Sequence, residues 1–214
     1  MAGQTRWTYE RGGLWTLDLT QPLPPPVAPR REAVFSEARA VDAPQLALVM
    51  GWPVPGPLQR RLASGRRCFV AYVQSSLAAY GWVSYGQERV GELERRFHML
   101  EGEAYIWECV TLPEYRGQRL FSALLSHMQA ALRAEGRVPR IWIGSGLANR
   151  PSVQGIVNAG FQPVLWLVYL RLFGVHAIWV VPFSGASPPV VQEGRKLVLT
   201  GRERAFGPLV IGLA

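Results

Sequence analysis

With 214 residues, 49% of them hydrophobic, the chain is long enough for one core-forming domain with extensions and too apolar for global disorder. Lys and Arg number 23 against 15 Asp and Glu, a net charge of +8 carried almost wholly by arginine, since Lys196 is the sole lysine. This balance favours anionic partners, but the basic residues lie in scattered pairs such as Arg30-Arg31, Arg60-Arg61, Arg66-Arg67 and Arg95-Arg96, so no nucleic-acid partner is expected. The two cysteines, Cys68 and Cys109, stand inside apolar runs and are too few for a disulfide framework or a zinc cluster. His98, His127 and His176 have no metal-ligand spacing, and no metal site is expected.

The N-terminal segment has no signal-peptide core and begins with an aromatic, strand-like stretch around Trp7, Tyr9, Leu14 and Trp15. It runs into Gln21-Pro22-Leu23-Pro24-Pro25-Pro26, where proline fixes φ and enforces extension, so residues 1–33 are expected to be an arm on a stiff linker. Helical spacing over Val41–Met50 and a short run over Pro57–Ala63 predict two helices. From Arg67 the period becomes two: Cys68–Gln74 and Leu77–Tyr85 predict a hairpin turning at Ser75-Ser76. Val90–Met99, with Glu92 and Glu94 on one face, is expected as a third strand and Glu103–Leu112 as a fourth. Leu120, Ala123, Leu124, Met128, Ala131 and Leu132 then recur at helical steps up to Gly136, with His127 expected on the exposed side. Pro139–Ser145 predicts a buried strand, and Asn149–Ala159 a helix capped by Asn149 and stopped by Gly160.

The long apolar stretch Pro163–Phe183, broken by Arg171, Gly174 and His176, predicts two buried strands rather than a membrane span. Ser184–Pro189 is expected as a loop, followed by short strands at Lys196–Thr200 and Pro208–Ile211. The expected division is an arm at 1–33, a main domain at 34–174 and a β extension at 175–214, whose strands could complete a sheet across a homodimer. The order of elements predicts an α/β (α+β) fold with a mixed, mostly antiparallel sheet of about six to seven strands flanked by helices.

The stretch Val110-Thr-Leu-Pro-Glu-Tyr-Arg-Gly-Gln-Arg-Leu-Phe-Ser122 carries the chemistry. A strand halted by Pro113, a turn at Gly117 and an immediate apolar helix present unpaired N–H groups at the positive end of a helix dipole, which attracts phosphate. An ordinary strand-to-helix connection would have the same outline. Pro113-Glu-Tyr-Arg-Gly-Gln118 with its helix, followed by Asn149-Arg-Pro-Ser152 leading to Ala159-Gly160-Phe161, resembles the two motifs of the GNAT acetyltransferases, in order and at their usual spacing. The resemblance covers roughly Cys68 to Tyr169 and departs from the family at Arg119, which replaces a glycine, at Phe121, which replaces a small residue, and at Ile156, where many relatives carry a tyrosine acid.

The resemblance implies an acyl-CoA co-substrate and no metal. Backbone groups of Cys109, Val110, Thr111 and Leu112 would hold the pantetheine arm where the fourth strand splays from the fifth. Amides of Arg116, Gly117, Gln118, Arg119, Leu120 and Phe121 would hold the diphosphate, with Asn149 and Ser152 near the thioester. It further implies a cytoplasmic N-acetyltransferase passing an acetyl or short acyl group directly to a primary amine of a small acceptor. Glu108 and Glu92 are the candidate bases, the alternative for each being a salt-bridged strand residue. Tyr105 is placed on the face of Cys109, lining the acceptor pocket or packing in the core. A non-catalytic module that binds CoA or a protein is the competing reading.

Overall fold

The computed structural model describes residues 7–52, 54–93, 95–172 and 175–199. The expected strand at Pro208–Ile211 and the side chains of Glu92 and Glu94 lie outside that description. The described residues form ten strands: β1 (Trp7–Asp18), β2 (Val34–Glu37), β3 (Arg67–Val73), β4 (Ser76–Tyr85), β5 (Gln87–Val90), β6 (Arg95–His98), β7 (Glu103–Thr111), β8 (Arg140–Gly146), β9 (Gln162–Leu172) and β10 (Val175–Pro182). The helices are α1 (Ala43–Val49), α2 (Gly56–Ala63), α3 (Leu120–Glu135), α4 (Arg150–Asn158) and α5 (Pro188–Leu199). Eight strands make one sheet in the order β10-β9-β1-β8-β7-β4-β3-β2, while β5 and β6 form a separate two-stranded sheet. Among the described residues only β7 and β8 run parallel; the other paired neighbours are antiparallel. The expected mixed sheet flanked by helices is therefore present, with eight strands.

Alternation along the strands divides the side chains between two cores. Phe69, Ala71, Ile106, Ile141 and Ile143 face α3 and α4 on one side. Cys68, Val70, Tyr80 and Trp82 face α1 and α2 on the other, where Leu14, Tyr105, Trp142 and Leu167 also meet the β5–β6 hairpin and α5. The side chain of Gln129 ties α3 to the end of α4 by donating to the Ala159 carbonyl at 2.9 Å.

Four expectations change. The N-terminal segment is no arm: β1 lies between β8 and β9, in register from Gly12 opposite Gly146 to Asp18 opposite Arg140. Leu14 and Trp15 are buried to 1% exposure or less, and a strand buried on both faces has lost its option of solvent. The expected third strand is two short strands joined by a 3-10 turn over Gly91–Leu93. Glu92 therefore sits in that turn and not on the central sheet. Lys196–Leu199 is the last turn of α5, whose buried residues Val191, Gly194, Leu197 and Val198 follow helical spacing. His127 is half-buried between the rings of Phe35 and Phe69, at 5.8 and 6.0 Å, and burial pushes its pKa down. The stretch Pro163–Phe183 does form two strands, paired through Leu172 opposite Val175, and no described helix is long and apolar enough to cross a membrane.

Deleting residues 1–18 should abolish the cooperative thermal transition seen by circular dichroism, because it opens the sheet between β8 and β9. A truncation that melted within a few degrees of the full chain would return the segment to the status of an arm.

Candidate active site

Two structural breaks create the site. The β7–β8 ladder runs from Glu103 opposite Arg140 to Ile106 opposite Ile143 and stops, although β7 continues to Thr111 and β8 to Gly146. The strands thus part, and the edge of β7 from Trp107 onward faces a gap. On its other edge β7 stays paired with β4, but the register shifts between Tyr80–Val110 and Trp82–Trp107. Two residues, Glu108 and Cys109, oppose Gly81 alone, and Glu108 adopts a left-handed φ of 44°. This is a β-bulge, and it turns the strand at the point of parting. The bulge also reverses the parity of the faces: Tyr105 belongs to the core beneath α5, whereas Cys109 packs against the core beneath α3. The expectation that they share a face fails for that reason.

On the α3 side of the gap, the chain leaves β7 through a 3-10 turn at Pro113–Tyr115. It then passes Gly117, at φ 74°, and Arg119, at φ 60°, and enters α3. An L residue such as Arg119 held left-handed costs about 1–2 kcal/mol, which is the strain glycine would avoid. Arg119 offers no side-chain cap to α3. Among the described residues no protein hydrogen bond engages the amides of Gly117 to Ser122, whereas that of Ala123 bonds the Arg119 carbonyl at 3.0 Å. The Oγ1 of Thr111 and the Oε1 of Gln118 are buried beside this turn without a partner. Arg116 donates from Nε to the Thr111 carbonyl at 3.3 Å. The turn therefore offers several outward N–H groups, a helix dipole and two arginines, which fits a phosphate ligand.

Phe121 does not fill this turn. A Cβ on Gly155 of α4 would stand 2.3 Å from the Phe121 ring, so α4 provides the space that the small residue usual at position 121 would otherwise leave. Asn149 caps α4, its Oδ1 accepting from the Ser152 amide at 3.3 Å. Ile156, at the place of the expected acid, is 1% exposed in the core.

On the opposite sheet face lies a cleft of about 540 Å³. Its floor is nearly bare because Gly12 pairs with Gly146 and Leu14 with Gly144. The turn after β5 covers it with Val90 and Leu93, and Tyr105, Trp107 and Glu108 form the β7 wall. A Cβ on Gly144 would come within 2.9 Å of the Tyr105 hydroxyl. Glu10, Arg11 and Arg89 also line the cleft.

Glu108 is paired to Arg61 of α2 at 2.5 Å, and the Arg61 guanidinium lies 4.7, 4.8 and 5.0 Å from the ring centres of Trp107, Trp52 and Trp82. Trp107 is fixed in turn by its Nε1, which donates to Ser84 Oγ at 2.7 Å, and Ser84 donates to Glu88 at 2.5 Å. Burial alone would raise the Glu88 pKa, but Arg66, Ser84 and the Arg89 amide hold it below the usual carboxylate range. Burial pushes the Cys109 thiol up to about 12, so it is protonated at neutral pH and no nucleophile.

A family model described as the acetyltransferase (GNAT) family matches residues 38–161, more than half of the chain. The chain belongs to the GNAT acetyltransferase family. No curated protein matches the sequence significantly. Among solved structures, a GNAT-family acetyltransferase from Colwellia psychrerythraea superposes with a TM-score of 0.52 at 12% identity, over 76% of this chain and 56% of that one. A Drosophila protein superposes with a TM-score of 0.53 at 16% identity, over 78% and 52% of the two chains. This chain thus spans little more than half the length of either, and at such identities the likeness is one of GNAT fold.

Cys109 to Leu112 follow the point where β7 has left β8, Arg116 to Phe121 form the turn into α3 and its first residues, Asn149 and Ser152 stand at the start of α4, and Glu108 lines the cleft. The turn carrying Glu92 covers the cleft rather than continuing the sheet. Sequence reasoning missed Arg61, the three tryptophans around it and the glycine floor. The Gly12-Gly13 and Gly144–Gly146 runs were visible signals, but their juxtaposition depends on the long-range pairing of β1 with β8.

Gly155→Ala should destabilise the protein by about 1–3 kcal/mol in chemical denaturation, because its methyl group overlaps the Phe121 ring. Adding Phe121→Ala should recover part of that loss relative to the sum of the two single changes. Simple additivity would show that the two side chains do not compete for space.

Proposed function

We propose that the protein transfers an acetyl or other short acyl group from acyl-CoA to a primary amine by direct attack. The observation that carries the reading is the gap between β7 and β8, which has the unengaged amides of Gly117 to Ser122 on one side and a carboxylate-walled cleft on the other. In this reading the amides of Gly117 to Phe121, with Arg116 and Arg119, bind the diphosphate. The free edge of β7 from Cys109 to Leu112 bonds the pantetheine amides as a neighbouring strand would. The α4 cap formed by Asn149 and Ser152 borders the thioester end. The acceptor occupies the cleft, with its amine at Glu108.

Glu108 removes the ammonium proton, the neutral nitrogen attacks the thioester carbon, its second proton passes to water as the C–S bond breaks, and the departing thiolate takes a proton from water. Pairing with Arg61 opposes this role, since the guanidinium occupies the carboxylate that the ammonium must reach. A partly exposed pair of this kind is worth only about 0.2–1 kcal/mol. An incoming ammonium can therefore take the guanidinium's place at Glu108 while Arg61 stays against its tryptophans. The Arg61–Glu108 pair and the burial of Ile156 also favour a second reading, a CoA-binding module without chemistry.

Calorimetry with acetyl-CoA, followed by thiol release across a panel of primary amines, tests both readings. Binding with release supports transfer; binding with no release from any amine supports the module; no binding removes both. Glu108→Gln should lower kcat/KM for the best amine about 10²-fold while leaving CoA affinity unchanged. An unaltered rate would take the base role from Glu108.

A further inference from the structure

Residues 19–33, between β1 and β2, form an extended strap along α3. At its start the Leu19 amide bonds the Pro139 carbonyl at 2.8 Å, and the Gln21 carbonyl accepts from Arg133 near the C-terminal end of α3. Pro24 lies on Gly160 after α4, where a Cβ would come within 2.5 Å of its ring. The Val27 amide donates to Ser126 Oγ, in the middle of α3, at 3.1 Å. At the far end the Arg30 amide donates to the Gln118 carbonyl at 2.9 Å, and its Nη1 donates to the Gly117 carbonyl at 3.1 Å. The lengths agree. From Gln118 to Arg133 the helix and its turn rise roughly 22 Å at 1.5 Å per residue, and from Gln21 to Arg30 a proline-rich extended chain spans about 28 Å at 3.1 Å per residue. A stiff strap of this composition delivers Arg30 to the start of α3 with little conformational entropy left to lose.

We propose that Arg30 is a positioning residue for the diphosphate site, acting through the carbonyls of Gly117 and Gln118; this rests on the acyl-CoA reading above. In a trans peptide the C=O of one residue and the N–H of the next point in opposite directions. Holding the Gly117 and Gln118 oxygens toward the strap therefore aims the Gln118 and Arg119 amides away from it, toward the gap. Turn types differ by the orientation of their peptide planes, so a turn with its carbonyls unheld can rotate a peptide and present oxygen to a phosphate. With left-handed residues at both Gly117 and Arg119, this turn has only the short path to α3 to resist that rotation. Arg30 supplies the hold from 87 residues away in sequence. The strap thereby sets the anion affinity of a site to which it contributes no amide.

The test compares CoA with pantetheine, which lacks the diphosphate, by calorimetry on the full chain and its Arg30→Ala, Arg30→Gln and Arg30→Lys variants, with melting temperatures recorded. Arg30 is exposed, so all variants should fold. Arg30→Ala should weaken CoA binding about tenfold, the effect of losing one orienting hydrogen bond, and leave pantetheine binding within twofold. Lys, whose ammonium comes closest in length, should restore part of the loss, and Gln, whose amide ends two atoms short of Nη1, less. Unchanged CoA affinity in Arg30→Ala overturns the proposal, as does a loss that disappears at high salt, which would indicate charge rather than positioning. A wild-type chain that binds no CoA fails differently: it removes the acyl-CoA reading itself.

Discussion

The parting of β7 from β8 is the feature on which the rest depends. A parallel pair that stays zipped has no room between its strands. Here the ladder ends at Ile106 and Ile143, and two anchors keep the opening from closing. On one side β4 continues to hold β7 beyond the bulge; on the other β1 holds β8 along its whole length, from Gly146 to Arg140. The N-terminal strand is therefore part of the site's architecture, and its glycines leave the cleft floor bare. The left-handed φ at Glu108 is the local strain through which β7 turns away, and that strain falls on the residue with its carboxylate at the cleft wall.

The departures from the family's motif come with compensations visible in the packing. Phe121 is received by Gly155 on α4. Arg119 accepts backbone strain that a glycine would not, and in exchange places a guanidinium at a helix start that has no side-chain cap. On the cleft side, Arg61 is surrounded by Trp52, Trp82 and Trp107 and paired with Glu108. The orientation of Trp107 runs back through Ser84 to buried Glu88 and its partly exposed partner Arg66. That pair sits at the root of the β5–β6 hairpin, so the hairpin cover and the β7 wall of the cleft share one hydrogen-bonded network.

Local signals in the sequence carried the parts of the fold that local signals can carry. The β3–β4 hairpin, which turns at Gln74-Ser75, one residue before the expected Ser75-Ser76, the long helix ending at Gly136 and the Asn149 cap are all decided by residues close in sequence. The place of β1 was not, because an alternating aromatic strand has the same appearance at an edge, on an arm or in mid-sheet, and its partners lie more than 120 residues away. Gly91 breaks what reads as one strand into two, and Lys196-Leu-Val-Leu199 has strand composition but completes a helix whose apolar face is set by Val191 and Gly194. The turn from β7 into α3 was legible from Pro113, Gly117 and the helix that follows. The bulge at Glu108 was not, since nothing in Trp107-Glu-Cys109 marks two residues that must oppose one glycine.

The central claim is that main-chain N–H groups between Gly117 and Ser122 bind a diphosphate. Amide proton and nitrogen shifts followed by NMR during a titration with CoA test it most directly. The account predicts that these amides move furthest, with the Cys109–Leu112 edge next, and that adenosine 3′,5′-bisphosphate, which lacks the pantetheine arm, moves the edge far less. Saturable binding that left the Gly117–Ser122 amides in place would contradict it.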